Sequence, residues 1–544
     1  MKVTDAIAEI LKREGAEFLS CFPTTAIIDS SAQVGVRPVV CRQERVGVGI
    51  ADGYSRVTNG KRLGVFAMQY GPGAENAFSG VATAYSDSVP VLLLPLGQAR
   101  DRSWIKPYFS SMRSYEGVTK WIEQVNLAEQ IPEAMRRAIS MVRMGKPGPV
   151  MLEIPADVAG QEIEPFDYRP VKSSRAAGDP HDIDEAARVL VEARGPVIHA
   201  GQGVLYAEAW DELVELAELM QAPVMTTLLA KSVFPENHPL SLGTGSRVMT
   251  KPVRHFLDQS DVILGIGCSF SRHSMSAKIP AGKTIIHATA DADDVNKNYF
   301  ADYPIVGDAK LVLRQFIEAM KERLGKQGQK GDGKIAHEIK KIKEEWMKGW
   351  QDKLTSDEVP LNPYRVIWEL MHTIDPKDAI VTHDAGSPRD QLVPFYPATA
   401  PRSYLGWGKS HGLGTGLGLA MGAKLAKPDK VAINFMGDAA FGMVGTDFET
   451  AARNKIPIIT VVLNNSTMAI ETPVMRISQE RYGCRDLSGN YADMGRAMCG
   501  YGERVEKPTD IAPAFQRAVK ANMEEERPAL LEFITGEEIT FSLL

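Results

Sequence analysis

The segment VAINFMGDAAFGMV occupies residues 431–444, and the segment IITVVLNNST occupies residues 458–467. Each begins as an apolar run typical of a buried strand. Each run ends in a small polar cluster, Gly437-Asp438-Ala439 in the first and Asn464-Asn465 in the second. A helical pattern separates the two runs, which is the order of a parallel βαβ unit. Both clusters are therefore predicted to lie at the carboxyl edge of one sheet, where open α/β sheets bind ligands.

The two clusters carry ligands suited to magnesium. Asp438 offers a carboxylate and Asn465 an amide oxygen, 27 positions apart. Hard oxygen ligands of this kind suit Mg²⁺, which keeps further positions for phosphate oxygens. The small residues beside Asp438 let backbone N–H groups approach a diphosphate at the start of the following helix. Either fragment alone is explained by a turn or a loop, so the prediction depends on the pair.

Working outward, the chain repeats this alternation of short β-rich runs and longer helical periods. The pattern predicts an α/β fold with three doubly wound parallel-sheet domains. We expect these domains at residues 1–168, 182–324 and 360–544, separated by polar and Gly/Lys-rich stretches. The first and third domains share one plan of strand, Gly-rich turn and helix, without a convincing residue-level repeat.

Composition argues against several classes of function. The 544 residues include 62 basic and 68 acidic side chains, and the net charge of −6 gives no electrostatic footprint for nucleic acid or an anionic membrane. The longest apolar runs are strand-sized, so no membrane span is expected. The N-terminus lacks the apolar core of a signal peptide and the five cysteines lie far apart, which together predict a cytoplasmic protein.

The paired clusters resemble the metal–diphosphate motif of the thiamine diphosphate enzymes, in which GDG is followed, after a helix and a strand, by NN. Position 439 carries Ala instead of the usual Gly, and Ala is still small. The resemblance implies that Asp438 and Asn465 bind Mg²⁺ through their side chains and Thr467 through its carbonyl. It also implies that the cofactor thiamine diphosphate contacts four residues here: Gly437, Ala439, Ala440 and Met468.

A second match lies in the first domain, in RQERVGVGIADGYSRVTNG, residues 42–60. From the residues alone, Glu44 is explained as a carboxylate that stabilises a helix N-terminus. The stretch is similar to HEQGAGHAAEGYARATG of the acetolactate synthase group, however, and Glu44 falls on that group's activating glutamate. That carboxylate hydrogen-bonds the cofactor's aminopyrimidine ring and favours the tautomer that takes the proton from thiazolium C2. The resemblance implies the same role for Glu44, while the cofactor carries the hard chemistry.

Two further loops extend the resemblance. GPGAEN, residues 71–76, resembles the family's GPGATN loop, which lies against the pyrimidine ring. THDAGS, residues 382–387, resembles TTDVGQHQ at a strand-to-loop edge, and His383 within it is also explained as a structural residue. The resemblance implies cofactor contacts from four residues in these loops: Pro72, Asn76, Gly386 and Ser387.

The Gly-rich stretch SHGLGTGLG, residues 410–418, precedes a helix. It does not match the dinucleotide fingerprint GxGxxG, because both Leu417 and Leu419 stand where that pattern would need Gly. By resemblance, Leu413 is the bulky apolar residue that holds the cofactor in its bent shape. The His411 carbonyl would then face the 4′-amino group, and a proton-transfer role for His411 is the alternative.

The middle domain is similar to that of acetolactate synthases, with departures. The family's flavin-contacting patterns GMHG and FDDR are replaced by Gly245-Ser246-Arg247-Val248 and Phe270-Ser271-Arg272-His273. We therefore do not expect FAD.

Glu471 matches an active-site glutamate of pyruvate decarboxylases, with a proton relay as its implied role and a solvated surface charge as the alternative. Against a decarboxylase, Thr25 replaces that group's Asp, and its paired histidines are absent near Phe109. The partner of a substrate carboxylate stays open among three arginines: Arg45, Arg100 and Arg113.

The resemblance implies a non-oxidative carboligase or lyase, with acetolactate-type synthesis from pyruvate or a related 2-oxo acid as the leading reaction. A 2-oxo acid decarboxylase, or a 2-hydroxyacyl-CoA lyase that holds a nucleotide in the middle domain, stays open. A cofactor-binding subunit without catalysis is an alternative of another class, and intact Glu44 and Asp438 argue against it. In this superfamily the domains carrying those two residues come from different subunits at one cofactor. A homodimer is thus the minimum unit, and a homotetramer is compatible.

Overall fold

A computed structural model describes residues 1–23, 25–329 and 331–544. Within these ranges the strands form three separate six-stranded sheets, and neighbouring strands pair in parallel throughout. Helices flank each sheet. This confirms the predicted α/β class of three doubly wound parallel sheets. In the same ranges, no helix has both the length and the apolar character needed to cross a membrane.

The N-terminal sheet is built within residues 18–155. Its strands are β1 (Phe18–Cys21), β2 (Arg37–Val40), β3 (Gly64–Met68), β4 (Val91–Gly97), β5 (Trp121–Gln124) and β6 (Val150–Pro155). Its helices are α1 (Val3–Arg13), α2 (Ile27–Gln33), α3 (Glu44–Val57), α4 (Pro72–Ser86), α5 (Ser111–Tyr115), α6 (Ile131–Arg143) and α7 (Ala156–Ala159).

The middle sheet is built within residues 197–306. Its strands are β7 (Val197–Ala200), β8 (Val224–Thr227), β9 (Ser241–Gly245), β10 (Val262–Ile266), β11 (Thr284–Thr289) and β12 (Tyr303–Val306). Its helices are α8 (Pro180–Glu192), α9 (Gln202–Tyr206), α10 (Trp210–Met220), α11 (Lys251–Gln259) and α12 (Ala309–Leu324), and α13 (Lys334–Lys348) and α14 (Gln351–Leu354) follow.

The C-terminal sheet is built within residues 379–534. Its strands are β13 (Ala379–His383), β14 (Tyr404–Leu405), β15 (Val431–Gly437), β16 (Ile458–Asn464), β17 (Tyr501–Val505) and β18 (Ala529–Ile534). Its helices are α15 (Pro363–Thr373), α16 (Ser387–Leu392), α17 (Thr415–Ala426), α18 (Asp438–Val444), α19 (Phe448–Arg453), α20 (Arg476–Tyr482), α21 (Tyr491–Ala497) and α22 (Pro508–Met523).

The first and third sheets have the same topology. Their strand orders, β2-β1-β3-β4-β6-β5 and β14-β13-β15-β16-β18-β17, coincide when each sheet is numbered from its own first strand. The middle sheet instead has the order β12-β11-β10-β7-β8-β9, which is that of a doubly wound nucleotide-binding fold. The common plan predicted for the first and third parts is therefore present, while the exact domain boundaries stay a prediction.

Helices α3 and α17 join the N-terminal and C-terminal parts. A Cβ atom placed on Gly49 would lie 3.2 Å from the Cα of Gly418, and one placed on Gly422 would lie 2.5 Å from the backbone nitrogen of Tyr54. The contact near the start of α3 is made with the start of α17, and the contact further along α3 is made further along α17. The two helices therefore run in the same direction, with their N-terminal ends side by side. The small residues are required because the two backbones approach too closely for larger side chains.

Candidate active site

The two polar clusters meet at the carboxyl edge of the C-terminal sheet. Strands β15 and β16 are hydrogen-bonded neighbours, with Gly437 opposite Leu463. Asp438 begins α18 and is 3% exposed. Its Oδ1 accepts a hydrogen bond from the N–H of Ala439 at 2.8 Å, and its Oδ2 accepts one from Ser466 at 2.9 Å. The carboxylate therefore connects the two loops directly.

The oxygen atoms at this edge fit a magnesium ion. The Oδ1 of Asn465 accepts a hydrogen bond from the N–H of Thr467 at 3.1 Å, which fixes the turn in which the Thr467 carbonyl lies. Burial raises the pKa of Asp438 to about 6, although hydrogen bonds from Ala439 and Ser466 oppose this. A cation beside the carboxylate would offset its burial and favour the ionised form. Carboxylate, amide and carbonyl oxygens are hard ligands of the type that Mg²⁺ prefers.

Open backbone beside this carboxylate provides room for a diphosphate. Gly386 has a φ of +93°, which favours glycine, and it immediately precedes α16. A Cβ atom placed on Gly386 or on Gly437 would meet no atom closer than Pro388, at 3.9 and 3.5 Å respectively. Ser387, the first residue of α16, is 9% exposed. Close approach of phosphate oxygens to these glycines is sterically possible.

Glu44 lies at the start of α3 and is 3% exposed. Burial raises the pKa of this carboxyl, while its backbone hydrogen bond and a hydrogen bond with the Asn76 side chain act in the opposite direction. A Cβ atom on Gly73 would lie 3.5 Å from Glu44 Oε1. The 71–76 segment, which the sequence suggested to be a loop, forms the first turn of α4 and lies near Glu44, while its contact with a pyrimidine ring stays a prediction. Pro72, which begins α4, and Asn76 are both exposed.

Leu413 lies in the Gly-rich loop before α17, and part of its side chain packs against the protein interior. Leu413 is half-buried and packs against a small apolar cluster formed by Ala385, Trp407 and Leu419. It also contacts the larger apolar cluster between α3 and α17. His411 is exposed. These contacts fix the position of Leu413, as is required of a residue that supports the bent cofactor.

Sequence reasoning missed Asp384, which follows β13 directly. Its side chain is fully buried and accepts hydrogen bonds from the N–H groups of Gly414 at 2.8 Å and Gly416 at 2.9 Å. The signal was present in the sequence, since Asp384 ends an apolar strand just as Asp438 does, at the same edge of the same sheet.

His383 is a structural residue, which was one of its two interpretations. It is completely buried and stacks on Trp407, with ring centroids 5.3 Å apart and planes 10° apart. The Nε1–H of Trp407 donates to the His383 carbonyl at 2.7 Å. Burial lowers the pKa of His383 well below its ordinary value. The ring is therefore neutral and fixed inside the fold.

The second carboxylate candidate, Glu471, ends a 3₁₀ turn (Ala469–Glu471) that follows Thr467 and Met468. Its side chain is half-buried. A hydrogen bond from a more distant part of the chain fixes the start of this turn: the N–H of Met468 donates to the Arg485 carbonyl at 2.9 Å. Glu471 is accordingly connected through one short turn to the residues predicted to hold the metal.

The three candidate arginines differ in their surroundings. Arg100 is engaged by Asp157, with its Nε 2.7 Å from the carboxylate, and Arg113 is exposed. The Nη2 atom of Arg45 is buried and has no hydrogen-bond partner among the described residues. That atom would lie 2.8 Å from a Cβ atom on Gly414. Of the three, Arg45 is the one beside the Gly-rich loop.

Together, these features define an α/β protein with polar loops gathered at the carboxyl edge of its C-terminal sheet, as in enzymes that bind a phosphate-bearing cofactor. Three descriptions of the thiamine pyrophosphate (thiamine diphosphate) enzyme family match the chain. They are the N-terminal TPP binding domain at residues 1–115, the central domain at residues 183–316 and the C-terminal TPP binding domain at residues 384–533.

Full-length similarity supports the same assignment. The "Probable acetolactate synthase large subunit" of Methanococcus aeolicus is 32% identical, and the match covers 100% of this chain and 94% of that protein. "Glyoxylate carboligase" of Escherichia coli O157:H7 is 28% identical, with 99% and 94% covered. The crystal structure of benzoylformate decarboxylase from Polynucleobacter necessarius superposes with a TM-score of 0.82 at 21% identity, covering 99% and 100% of the two chains. The chain belongs to the thiamine pyrophosphate enzyme family, as its motifs predicted.

Proposed function

We propose that this chain is a thiamine diphosphate- and Mg²⁺-dependent carboligase or lyase that acts on 2-oxo acids without net oxidation. In its leading form it resembles acetolactate synthase and makes a 2-hydroxy-ketone from pyruvate or a related 2-oxo acid. The observation that carries the proposal is Glu44, a buried carboxylate with a raised pKa at the start of α3. Buried acids with shifted pKa values are typical of groups that move protons in active sites.

The cofactor, when bound, supplies thiazolium C2 as a carbon nucleophile and accepts the electrons left when a 2-oxo acid loses CO₂. Glu44 would hydrogen-bond the aminopyrimidine ring and control its protonation. Leu413 would support the two rings, and the His411 carbonyl would orient the amino group. The remaining contacts hold the metal (Asp438, Asn465, Thr467 carbonyl), the diphosphate (Gly386, Ser387, Gly437, Ala439, Ala440, Met468) and the pyrimidine ring (Pro72, Asn76).

Glu471 acts later in this proposal. Its protonated carboxyl would give a proton to the substrate-derived group once CO₂ has left, and the carboxylate would then be reprotonated from solvent. Its place one short turn beyond Thr467 and Met468 supports this role, because the turn links it to the metal loop.

A product assay tests the function. The holoenzyme is incubated with pyruvate, and CO₂, acetaldehyde and acetolactate are measured separately. Acetolactate as the main product is expected, whereas acetaldehyde would favour the decarboxylase alternative. Glu44→Gln is expected to lower turnover at least about 100-fold. The matched control is Glu129→Gln, which changes an exposed carboxylate in the same part of the chain.

Two outcomes would contradict the proposal. An unchanged rate in Glu44→Gln would remove the activating role of that residue. Absence of product from every 2-oxo acid tried, with thiamine diphosphate still bound, would favour a cofactor-binding subunit without catalysis.

A 2-hydroxyacyl-CoA lyase is the second candidate, and a cavity favours it. The cavity has a volume of about 860 Å³ and lies at the carboxyl edge of the middle sheet, where Gly201 and Gly267 follow β7 and β10. His199 lines it, and neither ring nitrogen of this buried side chain has a partner among the described residues. Lys409, near the Gly-rich loop, lines it too. A thermal-shift titration with coenzyme A checks this candidate, since only a ligand of the folded state raises the midpoint.

The same cavity includes residues at the positions where relatives contact a flavin. Phe270, Ser271 and His273, which replace part of a flavin-contacting pattern, line it. We propose that the purified enzyme carries no flavin, which its visible absorbance spectrum would check.

We further propose a homodimer as the minimum assembly, with a tetramer as the alternative, in the cytoplasm. Large apolar side chains on the surface of the single chain support association: Trp104 is 77% exposed, Val474 is 74% exposed and Tyr482 is 79% exposed. Light scattering of the wild type and of Val474→Asp tests this. A monomeric wild type that retains full activity would contradict it.

A further inference from the structure

Asp384 concentrates an unusual number of backbone hydrogen bonds. Its Oδ1 accepts from the N–H groups of Ala385 and Gly414, both at 2.8 Å, and its Oδ2 accepts from Gly416 at 2.9 Å. The residue is fixed in turn, because its own N–H donates to the Phe435 carbonyl at 2.8 Å. The carboxylate thus fastens the Gly-rich loop to the end of β13.

The N-cap residue of α17 has no side-chain acceptor of its own. Gly414 is the N-cap of α17, has a φ of +92° and carries no side chain that could cap the first turn. Asp384 accepts from the N-cap and from Gly416, and its negative charge suits the positive end of the α17 dipole. Leu413, the neighbour of Gly414, is therefore held in position through the backbone of the loop.

A positively charged side chain of the N-terminal part, Arg45, also lies beside this loop. The Arg45 guanidinium lies beside Gly414. Burial raises the pKa of Asp384 to about 6, while its backbone hydrogen bonds and, to a smaller extent, the charge of Arg45 act in the opposite direction. Burial lowers the pKa of Arg45, and the charges of Asp384 and Asp447 oppose this shift. Arg45 follows Glu44 directly in the sequence. Asp384 thus fixes the Leu413 loop at a point where the Arg45 side chain of the same chain also lies.

We propose that Asp384 is a positioning residue that holds the loop of residues 412–416, and with it Leu413, in the conformation that the bound cofactor requires. The inference rests on the proposed function of Leu413 as the support between the two cofactor rings. Without the carboxylate, the first turn of α17 loses its acceptors and Leu413 moves. A bound cofactor would then lose the support that Leu413 would give between its two rings.

The test measures cofactor geometry independently of the substrate. The rate at which the C2 proton of bound thiamine diphosphate exchanges with D₂O is followed by acid quench and NMR, in the wild type and in Asp384→Asn. An asparagine keeps one acceptor oxygen and turns an NH₂ group toward a backbone N–H. Exchange is expected to fall at least tenfold, with weaker cofactor binding. Asp261→Asn is the matched control, since Asp261 accepts backbone N–H groups of Arg194 and Gly195 in the middle part.

The outcomes separate the possibilities. Wild-type exchange in Asp384→Asn, with only a lower melting temperature, would reduce Asp384 to a purely structural residue and overturn the inference. A wild-type enzyme that neither binds the cofactor nor exchanges its C2 proton would instead overturn the proposed function. If Asp384→Asn does not fold, Asp384→Glu replaces it, because it keeps both acceptor oxygens on a longer chain. Slowed exchange is again expected there, and a wild-type rate would overturn the inference.

Discussion

The Oδ2 atom of Asp438 accepts a hydrogen bond from the backbone N–H of Ser466 at 2.9 Å. The two residues are 28 positions apart in the chain and belong to loops that end neighbouring parallel strands. This bond joins the two segments whose oxygen atoms we propose as Mg²⁺ ligands. It also means that a change at Asp438 alters both the metal ligand and the shape of the Asn465 loop.

Asp438→Asn is expected to weaken Mg²⁺-dependent binding of thiamine diphosphate at least about tenfold. The substitution removes the negative charge that stabilises the cation. It can also place an NH₂ group where the Oδ2 atom now accepts the hydrogen bond from the Ser466 N–H. Calorimetric titration with and without Mg²⁺ measures the effect, and a chelator should mimic it in the wild type. Asp429→Asn, at an exposed position, is the control. Equal cofactor affinity in the Asp438 variant and the wild type would refute the metal assignment.

Glu471→Gln should separate the second carboxylate from the first. Turnover with pyruvate is expected to fall about 100-fold, because a proton relay is lost. Exchange of the cofactor C2 proton should stay at the wild-type rate, since activation depends on Glu44. Steady-state kinetics and the exchange assay on one preparation measure both. A variant with normal turnover would mean that Glu471 is only a surface charge.

Asp447 gives the apo-protein a pH dependence. The side chain is fully buried, and its Oδ1 accepts hydrogen bonds from the Arg42 N–H at 2.8 Å and from Thr450 Oγ1 at 2.9 Å. Its Oδ2 has no partner among the described residues. Burial raises the pKa of this carboxyl to about 6. The folded state therefore binds a proton over a range of pH in which the unfolded chain, with a pKa of about 3.9, has lost it.

The sign follows from that difference. Between about pH 4 and pH 6 the folded protein binds more protons, so the free energy of unfolding should decrease as pH rises and level off above pH 6. The contribution of Asp447 is about 1–3 kcal/mol. Urea unfolding of the wild type and Asp447→Asn across this range measures it as the difference between the two. A difference that does not change with pH would show that Asp447 keeps an ordinary pKa.

The strand ends were predictable from the sequence and the contacts between loops were not. Asp438 and Asn465 end apolar runs that a helix separates, and parallel pairing then brings the two ends together. The bond from Gly414 to Asp384 spans 30 residues and depends on how α17 docks against β13, which no local pattern encodes. Likewise, the small residues of α3 permit close packing against another surface, but they do not indicate that α17 provides it.

Gly53 tests that helix contact. A Cβ atom on Gly53 would lie 2.8 Å from the Cα of Leu419 in α17, and backbone atoms cannot move aside as a flexible side chain can. Gly53→Ala should therefore lower the free energy of unfolding by about 1–3 kcal/mol, through overpacking. In Gly442→Ala the new methyl group meets no atom within 4 Å, and the higher helix propensity of Ala should leave α18 unchanged or more stable by up to about 1 kcal/mol. Thermal unfolding compares the two. Equal stability of the two variants would mean that α3 and α17 do not approach each other this closely in solution.

Because Glu44 and the Gly-rich loop lie at the N-terminal ends of these helices, Gly53→Ala should also weaken cofactor binding. A purely local destabilisation would instead leave the cofactor affinity of the folded enzyme unchanged.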